Sequence, residues 1–220
     1  MMKMVPVVGV DGCRAGWIVV HDGCATVHRD FATVLAGLPD DTVVAVDMPI
    51  GLIDEHEPGG RDVDRAARVE LGPKRNSVFS APPRCALGTR TLGDARRRGA
   101  RLTLQTLNIL SRIEDVDRVM TPDLQSRVFE VHPELSFAAM NGGGPLLAPK
   151  RSATGARERR ALLQRAGVMV PERPVGAARD DLLDACALAW SARRVARGAA
   201  RRLPDRPAHD ARGLRMELRW

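Results

Sequence analysis

Five acidic residues and one histidine stand where a charged side chain is costly unless it is used. Asp11 closes the apolar run Val5-Pro6-Val7-Val8-Gly9-Val10, and Asp47 closes Thr42-Val43-Val44-Ala45-Val46. Glu130 lies inside Val128-Phe129-Glu130-Val131, and Asp181 and Asp184 share one face of a helical stretch at i, i+3 spacing. Burying one unpaired carboxylate costs several kcal/mol, and crowding several adds mutual repulsion. A divalent cation removes that penalty, and hard oxygen donors suit Mg²⁺ or Mn²⁺. Taken singly, each acid could instead cap an element or pair with one of the 31 arginines. His132, two residues past Glu130, could shuttle a proton or be a satisfied strand-end residue. Arg14 and Arg61 are candidate phosphate ligands, although Arg61 could equally pair with Asp64 at i, i+3.

The elements that must carry these residues are readable in outline. Apolar β-branched runs predict strands over 5–10, 16–20 and 25–29, then a helix over 31–38 from the spacing of Phe31, Val34, Leu35 and Leu38. The run 42–47 is apolar throughout, the pattern of a strand covered on both faces. Helices are expected over 61–71, from Thr91 with Asp94 as a capping box, over 102–119 with Leu104, Leu107, Ile109, Leu110 and Ile113 inward, over 154–166 and over 180–202. A strand over 127–132 is closed by Pro133, the glycines of 141–153 predict a flexible loop, and strict alternation over 214–220 predicts a half-exposed final strand.

Composition bounds the rest. The chain has 220 residues, 44% hydrophobic and 28% charged, enough for one large domain to fold without a disulfide or metal staple. No apolar stretch approaches the ~18 residues of a membrane span, and no secretory signal is legible, so a cytoplasmic protein that does not enter membranes is the expectation. Cys13, Cys24, Cys85 and Cys186 lack metal-site spacing and read as free thiols. The net charge of +7 comes almost wholly from arginine, lysine occurring only as Lys3, Lys74 and Lys150. Arginine suits phosphate, so a polyanionic partner fits, as does a merely solvated basic surface.

Gly9-Val10-Asp11-Gly12-Cys13-Arg14, Val46-Asp47-Met48-Pro49-Ile50-Gly51, Ser77-Val78-Phe79, Phe129-Glu130-Val131-His132-Pro133-Glu134 and Asp180-Asp181-Leu182-Leu183-Asp184-Ala185 resemble, in order, domain-of-unknown-function family 429, described as predicted RNase H-like nucleases. The last motif is also similar to the final helix of the RuvC Holliday-junction resolvase. The resemblance implies an α/β fold: one RNase H-like domain over 1–220, a mixed sheet flanked by helices, with a helical insertion over about 55–120 and a closing strand over about 214–220. In that scheme acids come from the first strand, the fourth strand and a late helix, which Asp11, Asp47 and Asp181 with Asp184 match; Glu130 is extra. The implied activity is metal-dependent phosphodiester hydrolysis, with Asp11, Asp47, Asp181 and Asp184 as metal ligands and Glu130 and His132 in the catalytic group. Nucleic acid is the expected partner, gripped by arginines 96–98 and 157, 159 and 160 around the pocket. A non-catalytic nucleic-acid-binding or regulatory protein on the same fold is the alternative. A sugar-kinase-like phosphotransferase, suggested by Asp11-Gly-x-Arg-x-Gly, would need a second domain for which the chain has no length.

Overall fold

Alternation along the first strands decides which side of the sheet each residue serves. The computed structural model describes residues 5–220. Strands β1 (Val7–Cys13), β2 (Gly16–His21) and β3 (Cys24–His28) form two antiparallel hairpins, and helix α1 (Phe31–Ala36) leads to β4 (Val43–Val46). β4 and the later β5 (Val128–Glu130) pair parallel, giving a mixed five-stranded sheet ordered β3-β2-β1-β4-β5. On one face Val8, Val10, Trp17, Val19, Val44, Val46 and Val128 pack on α1 and on Ile113 and Val116 of α4 (Leu104–Val119). On the other face Ile18 and Val20 meet α6 (Ala153–Arg165) and α7 (Arg179–Ala196). Val43, Ala45, Phe129 and Val131 meet α2 (Asp62–Leu71), α5 (Pro133–Met140) and α7 on that same side. Both faces are covered, which is why β4 is apolar without interruption.

β1 packs directly against α7, backbone to backbone. A Cβ placed on Gly9 would fall onto the Ala185 carbonyl oxygen and the Ala189 backbone nitrogen. Only glycine in the strand, opposite small residues on the helix, lets the two backbones approach so far. On the opposite face, Asp115 of α4 accepts from Trp17 Nε1 at 2.7 Å and from the Phe31 backbone N–H at 2.8 Å, locking α4 to β2 and α1.

Several boundaries depart from the sequence reading. α7 stops at Ala196 because Gly198 takes a left-handed turn (φ 68°), and a short strand β6 (Arg202–Leu203) follows. Leu104, expected inward, is 66% exposed, as it opens α4 beyond the edge of the core. α5 was not foreseen: Pro133 does not merely end the strand but opens a helix at its first position, where its missing N–H costs nothing. The expected half-exposed strand over 214–220 is mostly buried, and only β7 (Leu218–Arg219) is regular. Here the chain lies against β5 and pairs with β6, so both of its sides are covered: Met216, Leu218 and Trp220 join the core, and Glu217 is held by Arg215 and Arg219. Helix α3 (Leu92–Arg97) starts at Thr91, whose hydroxyl accepts from the Asp94 N–H. No helix among the described residues is long and apolar enough to cross a membrane.

The Gly9 approach can be tested directly. Gly9→Ala should lower the unfolding free energy by about 3 kcal/mol through overpacking of β1 on α7. Gly12→Ala, whose added Cβ would meet only Arg112 side-chain atoms at 3.8 Å or more, should stay within about 0.5 kcal/mol of wild type. Urea unfolding of the two variants checks the contrast.

Candidate active site

The parallel register sets the site. Val10 pairs with Val46, so Asp11 and Asp47 come next on neighbouring strands, roughly 4.8 Å apart in the sheet direction, on the face turned to α7. The Gly9 contact brings α7 close enough for Asp184, in its second turn, to meet them. Asp11, Asp47, Asp181 and Asp184 all line one cleft of about 890 Å³ beyond the carboxyl ends of β4 and β5, with Arg14, His132, Glu134 and Lys150. The polar side of α4, Gln105, Asn108, Ser111 and Arg112, forms the facing wall. Open α/β sheets hold ligands at this edge.

The acids within the cleft are not equivalent. Burial, then Asp47 and Asp184, push Asp11 well above the usual carboxylate range. Burial pushes Asp47 up to about 7 and Asp184 to about 6, although Lys150 pulls both down. Asp184 is buried; Lys150 Nζ donates to its Oδ2 at 2.7 Å, while its Oδ1 has no partner. Lys150 stays charged: burial opposes this, but Asp184, Asp11 and Asp47 hold its pKa above the ordinary lysine value. Asp181 lies at the rim and caps the helix start, its Oδ2 accepting from the Ala178 N–H at 2.8 Å.

Glu130 is elsewhere. Val46 pairs with Glu130, so alternation turns Glu130 to the face opposite Asp11 and Asp47. There it meets Arg61, which is 1% exposed and has no donor to spare for a substrate. Arg61 Nη2 donates to Glu130 Oε1 at 2.6 Å and Asp64 Oδ1 at 2.7 Å, and Nη1 to Glu130 Oε2 at 2.9 Å and the Ile50 and Gly51 carbonyls at 3.1 Å. Glu130 Oε2 also accepts from the Ile50 N–H at 2.7 Å. The expected roles of Arg61 as a phosphate ligand and Glu130 as a catalytic acid are therefore replaced by one structural role. Together they fix the turn after Asp47.

His132 is likewise committed. Its Nδ1 accepts from the Glu134 N–H and its Nε2 faces the Ser77 carbonyl, both at 3.2 Å, so the ring is a helix cap with neither nitrogen free to shuttle protons. Burial lowers its pKa, keeping it neutral. Glu134 lines the cleft; its Oε1 pairs with fully buried Arg159 and its Oε2 has no partner. Arg159 is thereby removed from the expected phosphate-binding arginines, and Arg96 lines a separate depression with Arg101. The basic surface that does adjoin the cleft was not foreseen. Lys150, Arg151, Arg173 and Arg179, with Asp180 paired to Arg151 at 3.1 Å, line a second, mainly basic depression of about 290 Å³, sharing Lys150 and Arg151 with the first.

Among the described residues, no three Asp, Glu, His or Cys side chains stand at metal-coordinating distance. The donor chemistry nonetheless suits a hard divalent cation: Asp11, Asp47 and Asp184 supply only carboxylate oxygens, one of them buried and unpartnered, and the cation now among them is Lys150.

Two measurements probe this arrangement. Folding raises Asp47 above its unfolded value of ~3.9, so the folded state holds the extra proton between about pH 4 and 7. That contribution is present in acid and is lost as pH rises through about 7. Metal-free Asp47→Asn should therefore match wild type near pH 4 and be the more stable protein at pH 8, by up to about 4 kcal/mol; parallel stability curves would refute the raised pKa. Arg61→Met should cost about 3–5 kcal/mol by stranding Glu130 and Asp64, and Arg61→Met with Glu130→Gln should recover part of it.

No curated protein and no solved structure matches this chain. One family model does, over residues 9–209, a span that takes in most of β1, all of β4, β5 and α7, and every acid of the cleft. The chain belongs to that family, described as a protein of unknown function (DUF429).

Proposed function

We propose that this protein is a metal-dependent phosphodiester hydrolase of the RNase H-like nuclease type, acting on nucleic acid. The observation that carries the reading is the meeting of Asp11, Asp47 and Asp184, from the first strand, the fourth strand and the last long helix, in one cleft. Those are the three places from which RNase H-like nucleases take their acids. Asp11, Asp47 and Asp184 would hold Mg²⁺ or Mn²⁺, which when bound activates a water and stabilises the leaving oxygen. The protein's own part is positional. Arg61 and Glu130 hold the Asp47 turn from behind, and Asp181 starts the helix that presents Asp184. Arg14 and Arg112 line the cleft where a phosphate would enter, Arg112 being fixed by donating to the Cys13 carbonyl at 2.8 Å. Arg173 and Arg179 continue the basic track past Lys150, so a strand longer than one nucleotide fits the charge pattern better than a mononucleotide.

A specific observation favours the second reading, a non-catalytic nucleic-acid-binding protein: Lys150 already supplies Asp184 with a counter-charge. Purified protein incubated with Mn²⁺ or Mg²⁺ and labelled RNA, DNA, hybrid and junction substrates separates the two. Cleavage is expected with metal, and Asp11→Asn should reduce it by about 10²-fold or more. Binding without cleavage would leave the second reading. In either case Arg173→Glu with Arg179→Glu should flatten the log-affinity against log-salt slope, by about 0.9 per lost phosphate contact on duplex DNA or about 0.7 on a single strand.

A further inference from the structure

Asp184 is 2% exposed, and a charged carboxylate buried there without a counter-charge costs several kcal/mol. A cation beside it removes that cost. Lys150 does so now, from a side chain that is 42% exposed and lines both the acidic cleft and the basic depression beside it. The chemistry of the residue matters here. Every other cation around the two depressions (Arg14, Arg112, Arg151, Arg173 and Arg179) is an arginine. Lysine carries a compact charge on a rotatable four-carbon stem, whereas the arginine fork is rigid. The backbone beneath it is pinned: Gly155 has no Cβ, and one added there would strike the Pro149 carbonyl, so the residue before Lys150 lies directly on α6. A fixed base with a mobile charged tip can vacate Asp184 without moving the loop.

Resting on the metal reading above, we propose that Lys150 is a tethered stand-in cation. Its ammonium holds the Asp184 carboxylate in the metal-free protein, and a divalent cation entering the cleft displaces it toward the basic depression. Two cations on one carboxylate repel, so Lys150 and the metal exclude each other at Asp184. Oδ1 of Asp184 is buried and left unused by the ammonium, so the carboxylate keeps donor capacity for a cation.

The test measures Mn²⁺ binding by calorimetry, without nucleic acid, for wild type, Lys150→Met and Lys150→Arg. Lys150→Met should bind Mn²⁺ about tenfold more tightly than wild type, and Lys150→Arg no more tightly. A folded Lys150→Met that binds Mn²⁺ no more tightly than wild type overturns the proposal. A second measurement needs no variant: amine-selective acylation of wild type read by mass spectrometry, with Lys3 and Lys74 as internal references. Mg²⁺ should raise the labelling of Lys150 several-fold and leave the references unchanged; unchanged Lys150 labelling at saturating Mg²⁺ overturns the proposal even if Lys150→Met does not fold. Absence of Mn²⁺ binding to any of the three proteins overturns both this proposal and the metal reading. Tighter binding by Lys150→Met with no cleavage of any nucleic acid supports the stand-in role and removes the nuclease reading alone.

Discussion

Everything at the cleft follows from how closely β1 can approach α7. Gly9 lets the strand backbone rest against Ala185 and Ala189. The next inward-facing residue on that strand is Asp11, and Asp184 sits immediately before Ala185 on the helix. The contact that packs the core therefore also forces two carboxylates together, and the parallel register with β4 adds Asp47 as the third. A helix held farther away would relieve their repulsion but open the core. The fold accepts the electrostatic cost, visible in the raised proton affinities of all three acids.

That cost is contained by a division of labour between arginine and lysine. Buried arginines serve the frame. Arg61 joins α2, β5 and the turn after Asp47, and Arg159 joins α6 to Glu134 at the start of α5 while lying over the Phe137 ring at 5.2 Å. Both use the guanidinium as a rigid multi-point clamp, which suits a permanent structural charge. The cation at the acids themselves is a lysine that reaches in from a loop. Permanent clamps stand behind the site and an exchangeable charge stands inside it.

Much of this was legible in the sequence. The β-β-β-α-β opening and the positions of Asp11, Asp47 and Asp184 could be read because each rests on local periodicity or on an ordered motif. Glu130 was misplaced although its own strand carried the correction. Phe129 and Val131 face the side of Asp11 and Asp47, so Glu130 between them must face away, but that deduction needs the pairing of Val46 with Glu130, which is non-local. Arg61 showed its i, i+3 partner in sequence, yet nothing local revealed Glu130 as the second. Pro133 was ambiguous between a strand terminator and a helix opener, and the cap made by His132 decides it. Lys150 could not have been found: it lies in an irregular loop, and its partner is 34 residues away on another element. Its only signal was rarity, a lysine where the chain otherwise uses arginine.

The charge distribution also orders the events at the site. The protein carries +7 overall, and arginines line the cleft and the depression beside it, so the long-range field draws a polyanion toward the site. At short range the pattern changes, because a phosphate that enters meets three crowded acids. Lys150 pairs with only one of them, Asp184. On the hydrolase reading, a phosphate can therefore settle against Asp11 and Asp47 only after a doubly charged cation is in place, and the rim holds the strand nearby until then. The same pattern without a metal gives a protein that captures a strand at its arginine rim and keeps the backbone out of the acidic floor, which is the behaviour of the binding-only alternative. The two readings share the rim and differ in whether the floor is ever filled.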